Sequence, residues 1–124
     1  MPIRTRRWND PALPDDGLRV LVSRYRPRAL PKKDETWELW WKELGPSVEL
    51  HADYYAEGPV PLSFDEYAAR YLAEMEPHHR LIESLARQVR AGETVTLLCS
   101  SACTDEARCH RTLLERLIEA AVAR

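Results

Sequence analysis

Long apolar runs are missing from this sequence. No stretch approaches the roughly 18 apolar residues of a membrane-crossing helix, so no such helix is expected. The basic start, Met1-Pro2-Ile3-Arg4-Thr5-Arg6-Arg7, is not followed by an apolar signal core. A soluble cytoplasmic protein is therefore expected, with no membrane partner. Cysteine is scarce and odd in number, three residues in 124. That argues against a fully paired secreted framework. The chain is also long enough to bury a core without disulfide staples. Internal repeats and low-complexity tracts are absent too, so residues 1–124 read as a single domain.

What is present is uneven. The net charge is only −2, yet residues 1–33 hold nine Lys or Arg against Asp10, Asp15 and Asp16, a balance of +6. Residues 34–124 hold nine basic and 17 acidic residues, a balance of −8. Such a basic third suggests an anionic ligand near the N-terminal strands. The plainer reading is that the two parts attract each other across the surface. Nucleic-acid binding through residues 1–33 is a weaker expectation, because few aromatics interleave with these charges.

Several segments announce their structure. Residues 3–7 suit a short strand, and Leu18-Arg19-Val20-Leu21-Val22 suits a longer one. Pro27 and Pro31 then force extended backbone through an arginine-rich exit, Arg24-Tyr25-Arg26-Pro27-Arg28. Trp37, Trp40, Trp41 and Leu44 fall at helical spacing and predict a helix from near Asp34 to Gly45-Pro46. A short helix is expected within residues 47–57, then a linker at residues 58–62. Ser63 and Glu66 form a capping box ahead of the stripe Phe64, Tyr67, Ala68, Tyr71, Leu72 and Met75. Pro77 opens a further helix that Gly92 closes. Residues 94–99 read as a buried strand, and Leu113, Leu114, Leu117 and Ile118 line a final helix. The expected fold is α/β: a small, mostly parallel sheet flanked by about four to five helices.

All three cysteines lie between positions 99 and 109, where the last strand passes through a polar loop into the last helix. Open α/β sheets place ligands at such strand ends. Three functional readings stand. Cys99, Cys103, Cys109 and His110 supply zinc-ligating atoms, but no C-x2-C pair is present, and neighbours on a helix, such as Cys109 and His110, point about 100° apart. A reactive thiol is the second reading, with Cys109 flanked by Arg108, His110 and Arg111. A tyrosine-phosphatase-like loop is excluded, since Asp105, Cys109 and Glu115 stand where its arginine would have to be. The third is an anion pocket built from loop amides, the hydroxyls of Ser100, Ser101 and Thr104, the helix N-terminus and Arg111, although Asp105 and Glu106 oppose it. A purely structural reading stands beside these: His110 falls mid-stripe on its helix and suits a buried histidine bonded to a carbonyl, and Cys99 suits an inert core residue.

Two stretches carry a resemblance. Residues 19–30, continued by Trp40-Trp41-Lys42-Glu43-Leu44-Gly45-Pro46-Ser47 and Glu49-Leu50, resemble the YeaO-like branch of a bacterial domain-of-unknown-function family, DUF488. Leu97-Leu98-Cys99 with Cys109-His110-Arg111 resembles the signature of the wider family. In that pattern an acidic residue and an aromatic are common where Ser23 and Arg26 stand, glycine is usual where Ala29 stands, and Cys103 looks like an addition. The resemblance implies a small cytoplasmic α/β protein and no established reaction. The expectation is a strand-end pocket for a small anionic, nucleotide-like ligand. Arg24, Arg28, Ser100 and Arg111 are the candidate binders, and Cys109 and His110 the candidates for catalysis should it be an enzyme. The alternative is a thiol-based redox or zinc-binding regulatory protein using Cys99, Cys103, Cys109 and His110. No cofactor is expected.

Overall fold

The computed structural model describes residues 3–55 (of Tyr55, the backbone), 62–100, 105 and 108–124. Residues 58–61 of the expected linker at 58–62, and Ser101, Cys103, Thr104 and Glu106, lie outside them. Four parallel strands form one sheet in the order β1-β4-β2-β3. They are β1 (Ile3–Arg7), β2 (Leu18–Leu21), β3 (Leu39–Trp40) and β4 (Val95–Cys99). Ile3 and Leu18 both sit level with Val95, so β4 is the central strand between β1 and β2. Its residues are all buried, as expected of a strand covered on both faces.

Alternation along the strands sorts the side chains. Ile3, Val20, Val22, Val95 and Leu97 face the main core with α2 (Phe64–Met75), α3 (His79–Arg90) and α4 (His110–Val122). Leu21 and Leu98 point the other way, onto Trp37, with Trp8 and Leu30 beside it. The capping box of α2 is present in both directions, Ser63 to the Glu66 amide and Glu66 to the Ser63 amide. A short helix, α1 (Val48–Tyr55), starts where the Ser47 hydroxyl accepts the Leu50 amide at 3.1 Å. No described helix is long and apolar enough to cross a membrane.

Helical cover among the described residues is lighter than expected: three longer helices, the short α1 and a few 3-10 turns. The reason is the tryptophan segment. Residues 37–44 form the edge strand β3 followed by a 3-10 turn, Lys42–Leu44, in place of a helix. The exposed backbone edge of β2 recruits them: Glu38 N donates to Arg19 O and Trp41 N to Leu21 O, each at 2.9 Å. Leu39 and Trp41 then turn toward the main core while Trp40 takes the other side. Tertiary pairing outweighs the helical spacing, and tryptophan tolerates the pleated surface well.

The second face also carries a buried polar cluster. Asp16, 1 % exposed, receives the Arg19 guanidinium, Arg4 at 3.2 Å, Arg6 at 3.4 Å and the Leu13 amide at 2.9 Å. Its own carbonyl accepts the Thr96 hydroxyl at 2.7 Å. Arg7 pairs with Asp10 at 3.0 Å and Arg26 with Glu35 at 2.8 Å. Five of the seven arginines before residue 34 thus pair with carboxylates close by in sequence, not with the acidic helices. Among the described residues, Arg24 and Arg28 have no carboxylate partner.

Candidate functional site

The carboxyl ends of β1, β2 and β4 meet at one sheet edge, joined by Trp8 N to Cys99 O at 2.8 Å and Val22 N to Leu98 O at 2.9 Å. The central strand ends at Cys99, 1 % exposed. The chain returns at Cys109, whose extended backbone (φ −122, ψ 143) places it before the first turn of α4 as its N-cap. Cys109 is therefore free of the 100° rotation expected between helical neighbours, and it converges with His110 where the helical count predicts divergence. The Cys99 and Cys109 sulfurs lie 3.4 Å apart, and His110 Nδ1 lies 3.9 Å from the first and 4.0 Å from the second. His110 is buried, with Nε2 2.8 Å from the Val22 carbonyl oxygen. A carbonyl only accepts, so Nε2 carries the proton and, in the neutral ring, the Nδ1 lone pair faces the two sulfurs.

Tyr71 backs the imidazole, with ring centroids 5.5 Å apart, and its hydroxyl donates to Leu44 O at 2.7 Å. Burial first, then charge on Cys109, Cys99 and Glu74, pushes the Tyr71 hydroxyl well above its usual range, so it stays protonated as a donor. Tyr67 extends this aromatic wall, stacked on Tyr54 at 4.1 Å.

The arginine loop forms the facing wall. Ser23 Oγ donates to Tyr25 O at 2.8 Å, Trp40 Nε1 donates to Ser23 O at 2.9 Å, and Arg24 Nε donates to Pro46 O at 2.8 Å. Arg26 is held between Glu35 and the Trp37 ring, 5.8 Å from its centroid. Tyr25 meets His51 edge-on at 5.2 Å. The cavity between these walls holds about 470 Å³ and is lined by Trp8, residues 23–28, Pro46, His51, Tyr67, Cys99, Ser100 and His110.

Of the residues singled out from sequence, Arg24, Arg28, Ser100, Cys99 and His110 line this cavity. Cys109 stands behind Cys99 and is not part of the lining. Arg111 is 2 % exposed and is likewise not in the lining. Its charge acts at a distance and contributes to holding the Asp10 carboxyl below its usual range, after the larger effect of the Arg7 amide hydrogen bond. Trp8, Tyr25, His51 and Tyr67 were not singled out. Trp8 had a signal, since it directly follows a strand on the ligand-binding edge. His51 and Tyr67 had none, because helices from the middle of the chain carry them across.

Ala29, beside Arg28, has φ +56. A non-glycine residue there is disfavoured by about 1–2 kcal/mol. Replacing Ala29 with glycine is expected to raise stability by about 0.5–1 kcal/mol, since glycine's extra unfolded-state freedom offsets part of the relief. Urea unfolding midpoints at unchanged slope test this, and a lower midpoint would contradict it.

A family model described as the active DUF488-N3 subclade matches residues 3–122. Rv3073c of Mycobacterium tuberculosis strain H37Rv, named an uncharacterized protein, is 34% identical over 116 residues, covering 94% of this chain and 92% of its own. YeaO of Escherichia coli strain K12, also named uncharacterized, is 35% identical over 101 residues, covering 82% of this chain and 84% of its own. No solved structure matches the chain significantly. A family match over nearly the whole chain, together with these relatives, makes the chain a YeaO-like member of the DUF488 family.

Proposed function

We propose that the cavity binds a small anionic ligand with a flat, nucleotide-like body, over a floor of thiol and imidazole. The observation that carries this reading is the lining itself. Arg24 and Arg28, two cations without carboxylate partners among the described residues, share one cavity with Trp8, Tyr25 and Tyr67 and with the strand-end Ser100. Guanidinium groups suit phosphate or carboxylate, and aromatic walls suit a planar ring. The volume falls within the usual range of small-molecule sites, about 300–1,000 Å³. Arg26 contributes less, because Glu35 already neutralises it. If the site is catalytic, Cys99 and His110 face the ligand, and Cys109 acts through Cys99.

A thermal-shift panel of nucleotides, phosphorylated metabolites and inorganic phosphate tests the reading. A ligand at 100 times its Kd stabilises the fold by about 2.7 kcal/mol. Arg28→Ala is expected to weaken the same ligand about 10- to 100-fold, as loss of a charge-assisted hydrogen bond implies. Because Arg28 is exposed and has no ion pair among the described residues, Arg28→Ala is expected to change the ligand-free stability by less than about 0.5 kcal/mol. If no anion shifts the transition, or if Arg28→Ala binds as tightly as the parent, the reading fails.

A further inference from the structure

The three groups beneath the cavity have a consequence apart from anion binding. Two sulfurs and one imidazole nitrogen, from Cys99, Cys109 and His110, all lie within 4.8 Å of one another and are buried. Zinc binds sulfur at about 2.3 Å and imidazole nitrogen at about 2.0–2.1 Å, so donors around a tetrahedral ion sit about 3.5–3.8 Å apart. The observed separations of 3.4, 3.9 and 4.0 Å each lie within about 0.5 Å of that range. The outer partner that fixes a metal-bound histidine is also in place: the Val22 carbonyl holds Nε2, which turns the lone pair of Nδ1 toward the sulfurs. Charge fits as well, since two thiolates and a neutral imidazole around a divalent cation sum to zero, which burial favours over an uncompensated ion.

We infer that Cys99, Cys109 and His110 bind one thiophilic divalent cation of the zinc class, with a fourth position that faces the cavity and that no other described residue fills. Three protein ligands with one open position is the pattern of zinc sites that take a water or a ligand. Cys99 and His110 line the cavity, which gives the ion a way in and gives a fourth ligand room. All three ligands are described residues, and the site stands whether or not the cavity binds nucleotide-like anions.

Cobalt(II) is the probe. The full chain, reduced and stripped with chelator, is titrated with cobalt and then with zinc. Saturation is expected at one cobalt per chain, with a thiolate-to-cobalt charge-transfer band and the intense visible absorption of a four-coordinate ion, and zinc then abolishes both. Cys109→Ser and Cys99→Ser are each expected to weaken binding more than about 100-fold, beyond the 10- to 100-fold typical of losing an outer hydrogen-bond partner. Cys103→Ser is expected to keep one equivalent at parental affinity. Because buried cysteine variants can unfold, the parent chain supplies a second measurement: zinc protects Cys99 and Cys109 from alkylation, as read by peptide mass. The inference is overturned if the reduced parent takes up no cobalt, if Cys103→Ser abolishes the bands, or if zinc leaves Cys99 and Cys109 equally reactive. A reduced chain that only returns to a Cys99–Cys109 disulfide in air, without metal uptake, overturns it too. None of these outcomes bears on the nucleotide panel.

Discussion

Asp16→Asn is expected to destabilise the fold by about 3–5 kcal/mol, the cost of removing one partner from a buried ion cluster. Asp16 is 1 % exposed and gathers Arg19, Arg4, Arg6 and the Leu13 amide, and Arg19 is itself buried. An amide accepts through only one atom and directs two donors at guanidinium groups that also only donate. The cluster closes the loop between β1 and β2, parallel strands joined here without a helix. Opposing effects act on the acid. Burial, the largest, raises its pKa, but the Leu13 amide, the charge of Arg6 and the hydrogen bonds from Arg19 and Arg4 together outweigh it and hold it below 3.8. A carboxyl with a depressed folded pKa contributes stability that is fully present above its unfolded pKa of about 3.9 and is lost as pH falls through the folded value. Asp15, held at about 2 first by the Arg4 hydrogen bond, adds to the same acid limb. The parent should therefore lose stability below about pH 4, and Asp16→Asn should flatten that limb. Urea unfolding between pH 2 and about 7 reads both. A variant as stable as the parent at neutral pH, or an unchanged acid limb, would show that the cluster is not a stabilising element.

The same cluster shows how far the sequence could be read. Four of the main elements were legible because their signals are local: β4 as an apolar run, α2 from its capping box and stripe, α3 between Pro77 and Gly92, and α4 from its leucines. The pairing of the early arginines was not. Their charge pointed outward, to a ligand or to the acidic helices, whereas most of it is neutralised by aspartates a few residues away that a chain reversal brings back. The tryptophan segment misled for a related reason. Trp37, Trp40 and Trp41 satisfy helical spacing, but Leu39 and Trp41 also satisfy a two-residue period, and the open edge of β2 decides between them. At the site, the strand ends were legible from the rule that ligands gather at carboxyl edges. The convergence of Cys109 with His110 was not, because it depends on one residue being extended where the helical count continued.

Gly45→Ala is expected to cost about 3 kcal/mol and to displace the arginine loop. Read along the chain, Gly45-Pro46 is a helix stop; in the fold it is a brace. A methyl group at position 45 would stand 2.6 Å from Arg24 N, 2.9 Å from Ser23 C and 3.0 Å from Val22 O. These are backbone atoms of the strand exit, so no side-chain rotation relieves the contact. Overpacking of this kind costs about 1–3 kcal/mol, and the upper end applies where only backbone can move. The same contact orients the site, because Arg24 Nε donates to Pro46 O and the Val22 carbonyl holds His110. A shift there disturbs both the cation facing the cavity and the imidazole beneath it. The expected signature is thus a joint loss: a lower urea midpoint, and weaker binding of whichever anion the thermal-shift panel identifies. Arg28→Ala serves as the contrast, since it removes a cation from the wall and leaves the brace intact, so binding falls while ligand-free stability holds. If Gly45→Ala unfolds at the parent's midpoint, the close approach is not a constraint. If it loses stability but binds as well as the parent, the arginine loop is positioned by its own hydrogen bonds, Ser23 to Tyr25 and Trp40 to Ser23, and not by the glycine behind it.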